Sequence, residues 1–494
     1  MPPRTSTWRR SAGRRWWGVL LPPVIAGLSL AGAGTAVADH PDSTLTVGIP
    51  NVRVRSGVVN NRLMLGPTQV IDEVRFGVID RREPGARFGA AILSGYDLDP
   101  KLRTGNGEDD LIVGAPGTPG SRATGRVEIF FGSRSGFRAR NTRVLENHAK
   151  AGDEFGAALS ISSREEGSTG IRDLWVGAPG HDVAGKADAG AVFRYEISAT
   201  GVPTYVETIT QDNPMLIGEA EAGDRFGEVL GGDGVVGVPG EDVGPLKDAG
   251  IVQFLNIDEE TGKLIAAPTY TQGLGHFQDV AEAGDRFGAA IWGNAIGVPG
   301  EDVGTIKDAG AVQMFNGVLY TQNTPGIPGK AESGDHFGAA LSLGYRLQTR
   351  SGPPSECDEM SSVAVGIPGE DVGAAKDAGS IVLMSSGFEP INLKPGREYC
   401  PPRMFSQGHG LPGKAEIGDH LGAALGVRLG DPEQGNRRRD ILLIGVPGEN
   451  VGTTKDVGRV IAGTGKSAKS FGYSGGNISR MRFGTVLPSG NWSF

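Results

Sequence analysis

Residues 284–304 read Gly-Asp-Arg-Phe-Gly-Ala-Ala-Ile-Trp-Gly-Asn-Ala-Ile-Gly-Val-Pro-Gly-Glu-Asp-Val-Gly. Two apolar runs, 289–292 and 295–298, flank the pair Gly293-Asn294, which is the signature of a tight β-hairpin turn. A Gly-rich loop follows, and then two more short runs, 311–315 and 318–322. Four short strands separated by turn residues make one small antiparallel sheet. Helical periodicity is absent, so the stretch predicts all-β structure.

Working outward, the same words recur along the chain. A Phe-Gly pair, usually preceded by Gly-Asp, stands at Phe88, Phe155, Phe226, Phe287, Phe337 and Phe483, with Leu421-Gly422 as a variant. Gly-x-Pro recurs at Gly48, Gly114, Gly177, Gly237, Gly297, Gly366 and Gly445. Each set has seven members, spaced about 66 residues apart, which suits a four-stranded sheet with generous loops. The pattern predicts a seven-bladed β-propeller. Its first Gly-x-Pro has no Phe-Gly before it, and its last Phe-Gly has no Gly-x-Pro after it. Strands from both termini are therefore expected to close one blade, with residues 483–487 joining residues 43–74 and leaving no open edge.

Composition agrees with this reading. Of 494 residues, 81 are Gly and 31 are Pro, about 23% together against about 12% in average usage. That density excludes a coiled coil, and the lack of a three-residue Gly period excludes collagen. Residues 1–38 read as an export leader: Arg4, Arg9, Arg10, Arg14 and Arg15, an apolar stretch to Ala33, and Thr-Ala-Val-Ala before Asp39. The domains expected are thus a signal peptide, 1–38, and a propeller, 39–494, secreted or associated with the cell surface. No second apolar stretch is long enough to span a bilayer. Without the leader, 43 Lys and Arg face 57 Asp and Glu. Such a balance offers no footprint for nucleic acid and is repelled by anionic lipid, so neither nucleic acid nor membrane is an expected partner.

The linked Phe-Gly and Gly-x-Pro words resemble the FG-GAP repeat of the integrin α-subunit head, with 110–117 (Asp-Leu-Ile-Val-Gly-Ala-Pro-Gly) and 173–180 (Asp-Leu-Trp-Val-Gly-Ala-Pro-Gly) the nearest matches. The resemblance implies a seven-bladed propeller, Ca²⁺ in hairpins between first and second strands, and ligand binding on the opposite face. Candidate calcium ligands are Asp97, Asp99 and Asp110 in one hairpin and Asp431, Glu433, Asn436 and Asp440 in another, since Ca²⁺ takes six to eight oxygens. Neither loop completes the family's motif. Two further hairpins, Gly232-Asp233-Gly234 and Gly293-Asn294, are too short to hold an ion.

The implied ligand face carries Glu241-Asp242, Glu301-Asp302 and their copies after Gly-x-Pro, and a second acidic loop before Phe-Gly. Two readings apply. The acids form a ring that takes a cationic or metal-bridged ligand, or they serve blade-to-blade scaffolding, which their near-identical repetition favours. Departures from the repeat mark the expected ligand region: Arg122 in one blade, His181-Asp182 in the next, and Ala86 where others carry Asp. Cys357 and Cys400 fall in connections of one blade that share a face, and export favours a disulfide between them. No metalloprotease, P-loop or nucleophile-elbow motif is present. The function expected is a non-enzymatic binding or adhesion module for an extracellular protein or polysaccharide. The alternative is a carbohydrate-active or ester-cleaving enzyme with its site on the channel face.

Overall fold

The computed structural model describes residues 46–49, 62–65, 69–71, 86–96, 98, 110–117, 124–132, 142–163, 171–197, 201–345, 347, 361–385, 401–428, 440–472 and 485–487. All belong to one compact unit, Ala36–Phe494. They form an all-β ring of small antiparallel sheets, a β-propeller. The first blade comprises Ala91–Tyr96, Asp110–Ala115, Arg126–Phe130 and Thr142–Val144, paired in chain order. The second comprises Leu159–Ser163, Arg172–Ala178, Ala191–Ile197 and Pro203–Ile209. Val229–Leu230, Val235–Val238, Ile251–Phe254 and Thr269–Tyr270 make the third, and Ala290–Trp292, Ala295–Val298, Ala311–Met314 and Leu319–Tyr320 the fourth. The fifth holds Leu341–Tyr345, Ser361–Ile367, Ser380–Ser385 and Arg403–Gln407, with Gly410–Leu411 added in parallel. The sixth holds Leu425–Arg428, Ile441–Val446, Arg459–Ala462 and Lys469–Phe471.

The expected count of seven complete blades is corrected to six. Among the described residues the N-terminal sheet has only three strands, Thr46–Ile49, Arg62–Leu65 and Gln69–Ile71. Its sequence departs from the repeat: Gly48-Ile49-Pro50 continues into Asn-Val-Arg instead of the acidic loop. Phe483 and Gly484, expected to supply its fourth strand, lie outside the described residues. Val486 lies against Phe88, Ile92, Leu111, Val113, Ala115 and Phe130 of the first blade.

Successive first strands adjoin, as those of the third, fourth, fifth and sixth blades do in turn. Apolar clusters lie between blades: one spans the first and second, another the second and third, and the largest joins the fourth, fifth and sixth. Each cluster is anchored by the aromatic of the Phe-Gly word. Phe88, Phe155, Phe226, Phe287 and Phe337, with Leu421, are fully buried. The short hairpins behave as their sequences require. Trp292 pairs with Ala295 across the two-residue Gly293-Asn294 turn, and Asp233 takes a positive φ of 56° within the Gly232–Gly234 turn.

Candidate functional site

Because neighbouring strands run antiparallel, connections from second to third strand share a face with those leading from one blade to the next. That face carries both acidic loops. The recurring words meet there as the two halves of each blade boundary. Gly297, in the second strand of the fourth blade, lies under Gly338 of the next blade, whose carbonyl oxygen would be 2.1 Å from any Cβ placed on Gly297. Gly300, which follows Pro299, lies equally tight against Gly284, 1.9 Å by the same measure. Only glycine fits at these two points.

Backbone hydrogen bonds then stitch the boundary. Gly334, His336 and Phe337 donate to the carbonyls of Lys307, Asp308 and Ala309 at 3.0, 3.1 and 2.9 Å. Gly284, Arg286 and Phe287 repeat the pattern on Lys247, Asp248 and Ala249. Asp248, Asp308, Asp377 and Asp456 all hold φ of 51°, a left-handed conformation that Asp tolerates better than most residues. The Lys-Asp-Ala-Gly and Gly-Asp-x-Phe-Gly words are therefore joining elements.

Most acids on this face are already committed. Asp242 and Asp302 each accept the N–H six residues ahead, from Asp248 and Asp308, at 2.9 Å, and Asp182 does the same with Asp188 at 3.1 Å. Glu241 and Glu301 are buried below the surface, not displayed on it. Gln211, at the end of the second blade, donates to Glu241 at 2.6 Å. Gln272 donates to Glu301, Gln322 to Glu370 and Gln407 to Glu449, so each Gln clamps the blade that follows its own. Lys247 and Lys307 pair inside their own loops, with Asp242 at 3.6 Å and with Asp302, whereas Lys186 pairs outside its loop, with Asp212 at 3.7 Å.

The acid of Gly-Asp-x-Phe-Gly is buried beside that Glu. Its side chain accepts a local backbone N–H: Asp285 from Glu282 at 2.5 Å, Asp335 from Glu332 at 2.6 Å, and Asp224 from Glu221. Burial pushes Glu301 up to about 8, helped by the charges of Asp285 and Asp279. Burial likewise raises Asp285 to about 7, aided by Glu282, Asp302 and Asp279. Glu241 and Glu370 rise to about 7, and Asp224 and Asp335 to about 6, again chiefly through burial.

In the second blade His181 takes the Glu position, and its Nδ1 lies 2.8 Å from Asp153 Oδ2. In the sixth, Arg459 Nε lies 3.4 Å from Glu449. Ala86 is buried, and Arg122 lies outside the described residues. His336 and His420 are half-buried; each Nδ1 lies close to a proline carbonyl, Pro299 at 3.0 Å and Pro368 at 3.2 Å.

Of the calcium candidates, Asp110 is buried and receives N–H bonds from Leu98, at 2.5 Å, and Gly132, at 2.7 Å. Asp440 is buried at the start of its strand. Asp97, Asp99, Asp431, Glu433 and Asn436 lie outside the described residues, as do Cys357 and Cys400. Asp173, a remnant of the same loop, is bonded to the buried Arg194 guanidinium at 2.9 Å. Among the described residues no group of three or more His, Cys, Asp and Glu side chains is set to hold a metal ion.

The same face also displays apolar side chains. Of nine large hydrophobics exposed among the described residues, Met215, Ile217, Leu274, Val280 and Ile417 stand in the connections between blades. Ile417, Val280 and Ile217 are the three most exposed, at 72%, 69% and 65%. The clamping Gln residues and these apolar positions were missed in the sequence. A Gln thirteen residues before each of Asp224, Asp285 and Asp335 was the available signal.

No family model matches the chain. A segment of 133 residues, 26% of the chain, is 35% identical to integrin alpha-IIb of Homo sapiens and spans 11% of that protein's length. The fucose-specific lectin from Aleuria aurantia, a solved structure, aligns over 88% of this chain and 96% of its own, with 8% identity and a TM-score of 0.32. That score carries no weight for fold or ligand. Among the described residues no helix is long and apolar enough to cross a membrane. The ring of small sheets and the shared integrin segment together identify an integrin-like β-propeller.

Proposed function

We propose that the protein is an exported, non-enzymatic binding module that holds an extracellular protein on the face formed by its blade-to-blade connections. An integrin-like propeller supports a binding role in general. One observation favours a protein ligand: the exposure of Ile217, Val280 and Ile417 on that face. Scaffolding accounts for the glycines, the Asp turns and the Gln clamps around them, but burial gains nothing from leaving these three side chains in water. Cleavage after Ala38 would release the propeller outside the cell.

The test immobilises the protein and its triple variant Ile217→Glu, Val280→Glu, Ile417→Glu against a surface extract of the source organism. The expected result is one protein retained by the wild type and released by the variant, with both chains equally folded by circular dichroism. Equal retention by both, or none by either, overturns the reading.

A further inference from the structure

One position of the boundary words varies in charge while its backbone does not. The residue before each Phe-Gly or Leu-Gly is Arg87, Glu154, Arg225, Arg286, His336 or His420 in blades one to six. All six hold a positive φ, between 49° and 60°. In each blade the N–H three residues on donates back to that residue's carbonyl, at 2.9 to 3.1 Å. Five of the six side chains are basic, on a chain whose acids outnumber its bases.

These side chains gather beside the central channel. Each stands just before a first strand, and first strands adjoin between blades one and two and from the third to the sixth. Neighbouring positions touch, with Arg225 Nη2 3.2 Å from Glu154 Oε2. Burial holds the Arg87 guanidinium below its ordinary range; Glu154 opposes that shift and the like charge of Arg225 adds to it. Arg87 and Arg225 belong to the first and third blades, and blades that are not neighbours come this close only at the inner end of the sheets.

Around this inner ring the charges are matched on one side only. Glu154 and Glu228 both lie 3.2 Å from the Arg225 guanidinium, and Glu154 also acts on Arg87. From the fourth blade to the sixth no such acid stands in the ring. Arg286 is exposed, and among the described residues its guanidinium has neither an ion pair nor a hydrogen bond. The residue three further on is Ala289, Ala339 or Ala423, a small side chain reached by solvent in each case. The preceding acids, Asp285, Asp335 and Asp419, are buried and accept the backbone N–H groups of Glu282, Glu332 and Glu416. Burial pushes Asp285 and Asp419 up to about 7, so at neutral pH neither cancels a neighbouring cation in full.

We propose that the channel mouth beside the fourth, fifth and sixth blades seats an acidic side chain of the protein ligand, with Arg286 as its counter-charge and His336 and His420 beside it. This rests on the protein-binding reading above and names the chemistry of the ligand's central contact. A guanidinium and a carboxylate pair through two parallel hydrogen bonds, which fixes direction as well as charge. Val280 and Ile417 stand in the same connections as Arg286 and His420, six and three residues earlier, so an acid flanked by apolar residues meets both.

Fluorescence anisotropy of a labelled hexaglutamate peptide with the purified protein, at neutral pH and low salt, tests this. The wild type is expected to bind, and Arg286→Glu to bind about tenfold more weakly. Glu154 already holds the equivalent position at φ of 60°, so the substitution suits the backbone. Lys263→Glu, an exposed change of equal charge in a connection between third and fourth strands, is expected to bind as the wild type does. No binding by the wild type, or equal weakening by both variants, overturns the proposal. So does binding of a heparin hexasaccharide in place of hexaglutamate, which assigns the mouth to a sulfated glycan. Peptide binding that depends on Arg286 supports the proposal even where the surface extract yields no partner, a result that fails the earlier reading alone. Should Arg286→Glu fail to fold by circular dichroism, Arg286→Ala reads the same loss.

Discussion

The boundary entering the second blade and the one entering the fourth share a backbone and differ in chemistry. Gly180 and Gly300 follow the same Pro, press on the same carbonyl and donate to the same Asp, at 3.1 Å in both cases. Above that shared frame the second blade closes with a His–Asp contact of 2.8 Å, whereas the fourth buries Glu301 beside Asp285 under a Gln clamp. The difference separates what joining blades requires from what it merely permits. Close backbone approach is required, and the polar group beneath it is free to vary.

The largest expected effect attacks what the two boundaries share. Gly114→Ala and Gly237→Ala would bring a Cβ within 1.9 and 2.0 Å of the next blade's backbone oxygen. Each should cost about 3 kcal/mol in denaturant unfolding, the upper range for overpacking a close-packed interior. Unequal losses would break the claim that the frame is common to both. Next comes the clamp. Gln272→Ala leaves Glu301 buried without its donor and should cost about 1–3 kcal/mol. The second blade has no counterpart to lose.

A smaller effect follows from protons and sharpens the contrast. Glu301 and Asp285 titrate in the folded protein near 8 and 7, well above ordinary carboxylates. The folded state therefore holds these protons more tightly than the unfolded chain does. Their stabilisation is complete at acid pH below the usual carboxylate range and is lost as pH rises through about 7 to 8. The urea midpoint should fall from pH 6 to pH 9, and Glu301→Gln should flatten that fall. A slope unchanged by the variant would remove Glu301 as its source. Smallest of all is Lys307→Ala. The exposed pair with Asp302 lies inside one loop, and its removal should leave the melting temperature where it was.

The strands could be read from the sequence because alternating apolar runs and Gly turns are local signals, and the fourth blade shows all four within the expected runs. Both halves of the boundary were visible too, as Phe-Gly and Gly-x-Pro, but not that each touches the other across blades. That contact joins residues some 40 positions apart, Gly297 with Gly338 for instance, and no local pattern encodes it. Glu241 and Glu301 read as face residues because acids in Gly-rich loops are usually solvated. The Gln that carries each of them inward lies 29 or 30 residues earlier, on another blade. The seventh blade was overcounted because motif number was taken for sheet number, and the N-terminal repeat keeps the word Gly-x-Pro without the loop that follows it elsewhere.

The interchangeable boundary halves have a consequence for how the chain reaches this structure. The joining words of the third, fourth and fifth blades are nearly the same, so the Phe-Gly half of one fits the Lys-Asp-Ala-Gly half of another almost as well as its own. During refolding, a blade skipped or a blade borrowed from a second chain satisfies the same backbone bonds as the native neighbour. The native order then depends on chain length between halves, which favours the nearest partner, and on dilution, which disfavours a foreign one. Repetition that simplifies assembly on the page makes concentrated refolding prone to swapped rings.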